Sequence, residues 1–156
     1  MKKLLVIMVL MGGLYANEGH AQDKEQLLAE NKNYTGATAS EDHYKAVYQL
    51  DTDNPDIVKK TFRNINNLLK DTRLKDKLEV ELVTFSGGTE VMLKKNPYEE
   101  QLKDLIAKGV RVVQCLNSLE ERKYTNDQLW DFIGYTPSGN GELIILNKQG
   151  WSIVKP

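Results

Sequence analysis

Short apolar runs alternate with helix-like segments from residue 44 to the end of the chain. Runs rich in β-branched and aromatic residues predict five strands, at residues 44–50, 78–85, 110–115, 133–136 and 151–154. Helix signals begin between these runs, at residues 55, 97, 118 and 141. Because strands that alternate with helices form βαβ units, the pattern predicts an α/β fold with a mostly parallel sheet.

The first of these helices has the clearest signal. Asn54 can accept a hydrogen bond from the first helical turn, and Pro55 suits the first helical position. The apolar residues then recur on one helical face, while the basic and amide residues lie away from it. This apolar stripe consists of Val58, Phe62, Ile65 and Leu69.

Cys115 is the only cysteine of the chain and ends the third predicted strand. Ser118 and Glu121 have the spacing of a capping box, which predicts a helix that begins just after it. In open α/β sheets this edge of strand ends holds ligands, and a helix N-terminus there would stabilise a thiolate. A buried structural cysteine explains the residue equally well, so both interpretations stay open.

Two glycine turns resemble fragments of phosphate-binding loops. Gly87 and Gly88 follow the second strand, and residues 139–141 read Gly-Asn-Gly, but the Walker lysine and a full dinucleotide fingerprint are absent. Most glycine turns of this kind bind no ligand, although their backbone N–H groups could bind an anion at the edge where Cys115 lies. The candidate ligand-binding residues are Ser86, Gly87, Gly88, Asn117 and Ser118.

The N-terminus has the features of a secretory signal peptide. Lys2 and Lys3 precede an apolar run at residues 4–14, and Gly19 and Ala21 offer small residues for cleavage. The run falls short of the roughly 20 residues that span a bilayer, so no membrane anchor is expected after cleavage. We therefore predict a signal peptide over residues 1–21 and a bacterial periplasmic or secreted protein.

The next segment is polar and lacks sustained periodicity. Residues 22–43 are expected to be a linker or tail, with one helical turn around Leu27 and Leu28. The folded domain would then occupy residues 44–156.

Composition excludes several classes of protein. Among the 156 residues, 21 Lys and Arg balance 22 Asp and Glu, and this formal net charge of -1 argues against nucleic-acid binding. A single cysteine cannot form a disulfide within one chain. Once the leader is removed, His43 is the only histidine, so neither a metal site nor a cofactor is expected.

Several segments together resemble the DsrE/DsrF-like family of sulfur-metabolism proteins. The first strand ends in Leu-Asp-Thr-Asp, the first helix is rich in Asn, and the second strand ends at a glycine turn. Residues 108–119 then place a Gly-Val strand before Cys115 and a polar turn. The matching segments are residues 50–53, 63–69, 108–119, 137–139 and 150–156.

This resemblance implies a three-layer α/β/α domain with a five-stranded, mainly parallel sheet, assembled as a homotrimer or hexamer. In the sulfur-relay branch, the cysteine at the position of Cys115 accepts sulfur as a persulfide and passes it to a partner protein. Two features differ here, because Ser86 stands where many relatives have His and the relay proteins lack an export signal. We therefore expect this protein to be an exported sulfur carrier or a sulfurtransferase-like protein. The alternative is a non-enzymatic, oligomeric module that binds an anion or small ligand at the strand ends.

Overall fold

The computed structural model describes residues 15–156, with side chains described from residue 23 onward. Two compact units meet in sequence between Thr38 and Ala39. The first contains helix α1 (Tyr15–Asn33), and the second contains every strand. The strands are β1 (Tyr44–Leu50), β2 (Leu78–Thr84), β3 (Arg111–Cys115), β4 (Gly134–Thr136) and β5 (Ser152–Val154). The other helices are α2 (Pro55–Leu69), α3 (Glu99–Ala107), α4 (Leu116–Arg122) and α5 (Gly139–Lys148).

The five strands form one sheet in the order β4-β3-β2-β1-β5. All four pairings are parallel, so the strands end at one common edge. Helices cover both faces, with α2 and α3 on one side and α5 on the other. The predicted three-layer α/β fold with a five-stranded, mainly parallel sheet is confirmed.

Alternation along the strands divides the core in two. On one face, side chains of β1 and β2 such as Tyr48 and Leu82 pack with Phe62 of α2. On the other face, Val83 and Val113 pack with residues of α5. A sheet buried on both faces needs nearly continuous apolar strands, and this explains the strong strand signals in the sequence.

Helix α2 begins as its sequence signal predicts. The Asn54 side-chain oxygen accepts a hydrogen bond from the backbone N–H of Asp56 at 2.9 Å, and Pro55 is the first helical residue. Val58, Phe62 and Ile65 are buried, and Leu69 at the end of the stripe is half-buried. The predicted cap and apolar stripe are confirmed.

The segment before the sheet contains more helix than the single turn expected around Leu27 and Leu28. Helix α1 runs from Tyr15 to Asn33, and every side chain described in it is exposed. Good helix formers and a hydrogen bond from Gln26 to Glu30 stabilise it without burial, so no apolar stripe was there to be recognised. The apolar run at residues 4–14 lies outside the described residues. Among the described helices, none is both long and apolar enough to cross a membrane.

Candidate functional site

The candidate site lies where the parallel strands end. A 3₁₀ helix over Ser86–Met92, here called the rim turn, follows β2 at this edge, and α4 follows β3 directly. Cys115 is the last residue of β3 and pairs in register with Thr136 of β4. The structure thus places Cys115 at the end of the third strand, as the sequence predicts.

The Cys115 side chain points toward α5 and is 4% exposed. It belongs to the apolar cluster on that face, which also contains Val83, Phe85, Val113 and Leu143. The thiol is free, since the chain has no other cysteine. Its surroundings exclude bulk water but include no charged side chain in the cluster.

The predicted capping box over Ser118 and Glu121 is wrong. Helix α4 begins at Leu116, Cys115 itself occupies the N-cap position, and no side chain caps the helix. The chain therefore passes from strand to helix without the two-residue spacer that a cap at Ser118 requires. Ser118 is instead 4% exposed inside α4, and its hydroxyl oxygen accepts a hydrogen bond from the Ser86 N–H at 2.9 Å.

The rim turn lies tightly against the end of β1. A Cβ atom on Gly88 would stand 2.0 Å from the carbonyl oxygen of Leu50, so only glycine fits there. Ser86 has a φ of 48°, a left-handed conformation that is uncommon for residues other than glycine. The close packing explains the glycine at position 88, and the hydrogen bond to Ser118 stabilises the unusual backbone of Ser86.

Several backbone donors at this edge already have acceptors within the protein. The Ser86 N–H donates to Ser118, the Gly88 N–H to the Phe85 carbonyl at 2.9 Å, and the Asn117 N–H to the Pro137 carbonyl at 3.3 Å. Ser86 and Asn117 are exposed, whereas Gly88 and Ser118 are buried. The structure thus brings Ser86 and Ser118 into contact and places Asn117 against the end of β4.

A buried polar network next to Cys115, on the opposite face of the sheet, was not predicted from the sequence. Gln114, Thr84 and Thr89 are all 0% exposed and are joined by hydrogen bonds. Gln114 interrupts an otherwise apolar run in this strand, and this was the one local signal from which the network could have been predicted.

Two acidic residues near the edge are held in ion pairs. The Lys155 ammonium lies 2.8 Å from the Asp51 carboxylate and lowers its pKa. Glu90 of the rim turn is partly desolvated, which raises its pKa, but hydrogen bonds from Tyr124, Arg122 and Lys95 lower it to about 2. Both carboxylates are therefore ionised and engaged at neutral pH, and a general acid role does not fit either of them.

The described residues offer no metal site, and the two cavities described below do not include Cys115. No group of three or more His, Cys, Asp or Glu side chains there could hold a metal ion. One cavity of about 220 Å³ adjoins Lys95 and Tyr124, and another of about 390 Å³ adjoins Tyr48 and the start of β1. Cys115 lines neither of these two cavities.

Comparison with known structures supports this fold. A protein of unknown function from Methanobacterium thermoautotrophicum matches 72% of this chain and 99% of its own, at 26% identity and a TM-score of 0.68. A second protein of unknown function, from Bacteroides thetaiotaomicron, matches 78% of this chain and 100% of its own. Its identity is 13% and its TM-score 0.54, which shows a shared fold alone. A comparison with curated proteins gave no significant match.

The family model of the DsrE/DsrF-like family matches residues 45–156. The matched segment contains all five strands except the first residue of β1, and it includes Cys115, the rim turn and α4. The chain therefore belongs to the DsrE/DsrF-like family.

Proposed function

We propose that this protein carries sulfane sulfur on Cys115 and transfers it to a partner. Family membership supports a role in sulfur relay in general, and the placement of the thiol carries the finer proposal. Cys115 ends a central strand of a parallel sheet, the position at which α/β proteins place reactive groups. The rim turn and α4 flank it from two neighbouring connections.

The reaction needs one nucleophile and no metal or redox cofactor. The Cys115 thiolate attacks the outer sulfur of a donor persulfide, R–S–SH. A bond forms between Sγ and that sulfur, the donor S–S bond breaks, and the donor leaves as the thiolate R–S⁻. The product is Cys115–S–SH, and the same exchange with an acceptor thiolate returns Cys115 to its starting state.

Burial of the thiol is consistent with such a carrier in an oxidising compartment. With 4% of the residue exposed, Cys115 is sheltered from oxidants and from other thiols between transfers. Transfer then requires a small opening at the edge where α5 and the rim turn meet the strand ends. The leader features at residues 1–21 support the further proposal that the protein is exported to the periplasm or beyond.

Assembly into a homo-oligomer, a trimer or hexamer, is also part of the proposal. What supports it is a set of exposed apolar side chains on α5 and the two edge strands. Ile144 is 64% exposed and Ile145 55%, while Tyr135 of β4 and Ile153 of β5 are 38% and 43% exposed. Exposed apolar side chains on a helix and on unpaired sheet edges are typical of surfaces that contact other protein chains.

The alternative, a non-enzymatic module that binds an anion at the strand ends, has less support. Its binding site would use backbone donors of the rim turn and of the start of α4. The N–H groups of Ser86, Gly88 and Asn117 already donate to protein oxygens. An anion would have to displace these bonds before it could use the same donors.

Intact-mass spectrometry tests the main proposal. The purified full chain is incubated with glutathione persulfide, and the expected product is heavier by one sulfur atom. The matched control, Cys115→Ser, retains the shape of the site and should gain nothing. Transfer of the added sulfur to a small acceptor thiol should restore the original mass. A wild-type chain that never gains sulfur, or a Cys115→Ser chain that gains as much, would refute the proposal.

A further inference from the structure

Gln114 is an unusual residue for its place in the sheet. It lies between Val113 and Cys115 on a central strand, with its side chain on the face opposite to the thiol and 0% exposed. Burying an amide without hydrogen bonds costs several kcal/mol, and an apolar residue is the default for such a position. Its presence therefore calls for a physical reason.

The Gln114 side chain makes three hydrogen bonds. Its amide nitrogen donates to the Thr89 hydroxyl at 3.0 Å and to the Cys115 carbonyl at 2.8 Å, while its oxygen accepts from Thr84 at 2.7 Å. The orientation of the amide follows from this arrangement, because a carbonyl oxygen can only accept. Three of the four hydrogen-bonding positions of the amide are thus filled without water.

These bonds converge on the peptide group that joins β3 to α4. The Cys115 backbone is fixed on one side by the sheet and on the other by the bond from Gln114 to its carbonyl. No side chain caps α4, so the amide of Gln114 takes part in fixing where the helix begins. Through Thr89, the same amide is tied to the rim turn, which carries Ser86 and Gly88.

We propose that Gln114 is a positioning residue for Cys115, holding the strand-to-helix peptide so that the thiol keeps a fixed orientation toward the strand-end edge. The inference rests on the proposed sulfur transfer. Attack on an S–S bond requires a defined line of approach, and a displacement of 1 Å can cost about a hundredfold in rate. A residue that fixes the attacking atom to within a fraction of that distance matters for transfer without touching the donor.

The test compares Gln114→Met with Thr84→Val in the full chain. Gln114→Met keeps the side-chain length and removes every amide bond, whereas Thr84→Val removes one bond to the amide and leaves its donors in place. Gln114→Met should slow sulfur gain from saturating glutathione persulfide about tenfold. The half-saturating concentration should not change, because Gln114 does not contact the donor. Thr84→Val should leave both quantities near the wild-type values.

A spectroscopic readout separates this inference from the proposed function. Since the chain has one cysteine, labelling with carbonyl-¹³C cysteine gives a single resonance, that of the Cys115 carbonyl. Gln114→Met should shift or split this resonance, and Thr84→Val should preserve it. An unshifted resonance in Gln114→Met, or an unchanged transfer rate despite a shift, would overturn the positioning role. A wild-type chain that gains no sulfur would instead refute the proposed function, and the positioning of Cys115 for transfer would fall with it.

Thr89→Val provides a second variant if Gln114→Met does not fold. It releases the amide from the rim turn but leaves the bond to the Cys115 carbonyl. A smaller loss of transfer rate is expected, without a change in the half-saturating concentration. A transfer rate equal to that of the wild type would count against the proposal.

Discussion

Glu81 is buried and Glu90 is partly buried, and both form ion pairs, yet the pKa values of their carboxylates shift in opposite directions. Glu81 in the middle of β2 is 0% exposed, with one oxygen 2.6 Å from Nε of Arg111 and the other, Oε1, without a partner among the described residues. Burial raises the pKa of Glu81 in spite of Arg111. Burial acts on Glu90 as well, but hydrogen bonds from Tyr124, Arg122 and Lys95 lower its pKa to about 2.

The difference shows that burial and the number of donors together set the charge state of these carboxylates, since Glu81 is more deeply buried and has fewer donors than Glu90. An ionised carboxylate accepts about four hydrogen bonds, and each one that is missing in the interior disfavours the charge. Glu90 receives bonds from Tyr124 at 2.6 Å and from Arg122 at 3.0 Å, and these join the rim turn to α4 and the residues that follow it. The ion pairs of Glu90 therefore stabilise the two connections beside Cys115, whereas the pair of Glu81 lies within the sheet.

Removing Arg111 should have the largest effect. Arg111→Met leaves the Glu81 charge buried without a donor, and breaking a buried pair in this way is strongly destabilising. Because the Arg111 side chain is 51% exposed, we expect a loss of about 2–3 kcal/mol in the free energy of unfolding at pH 7. Urea unfolding followed by circular dichroism measures it.

The same loss should shrink at low pH, where Glu81 takes up a proton, and in the double variant with Glu81→Gln. Lys103→Met is the matched control, because Lys103 pairs with Glu99 on the exposed surface of α3. This variant should lose much less free energy of unfolding than Arg111→Met. A loss in Arg111→Met that is independent of pH and is not rescued by Glu81→Gln would show that Glu81 is not the affected group.

Neutralising Glu90 should have the next largest effect. Glu90→Gln weakens the charge-assisted bonds from Arg122 and Lys95, and we expect a loss of about 1–2 kcal/mol at pH 7. The folded pKa of about 2 lies below the ordinary value of 4.5. The stabilisation by Glu90 is therefore present above about pH 4.5 and is lost as the pH falls toward 2.

Unfolding free energies measured from pH 7 to pH 2.5 should show Glu90→Gln approaching the wild type as the pH falls. Glu120→Gln, an exposed change in α4, is the control and should stay close to the wild type throughout. A constant difference between Glu90→Gln and the wild type at every pH would contradict the assigned pKa.

The sequence predicted the elements whose signals are local. The strand at Tyr44–Leu50 matches its predicted bounds, and Asn54 and Pro55 mark the start of α2, because caps and alternation involve neighbouring residues. The position of Cys115 at the end of a strand follows from the same kind of signal. The use of that cysteine as a sulfur carrier stays a prediction.

Contacts between distant segments could not be read from local patterns. Gln114 bonds to Thr84 and Thr89, which lie 30 and 25 residues away in sequence, and the partner of Ser118 is 32 residues away. The capping box at Ser118 failed for this reason, since its side chain is used to hold the Ser86 backbone. Helix α1 was missed for another reason, because propensity alone forms it and it buries none of its described side chains.

Neutralising Glu81 should have the smallest effect and the opposite sign. The folded state binds the Glu81 proton more tightly than the unfolded state does, because burial raises its pKa above 4.5. This contribution to stability is present below about pH 4.5 and is lost as the pH rises through the folded pKa. Glu81→Gln resembles the protonated residue, so its free energy of unfolding should match that of the wild type at low pH and exceed it by at most about 1 kcal/mol at pH 7.

With rising pH, the stability curves of Glu81→Gln and Glu90→Gln should thus depart from that of the wild type in opposite directions. If both variants lose stability at pH 7, Arg111 alone compensates the Glu81 charge, and the raised pKa assigned to Glu81 is contradicted.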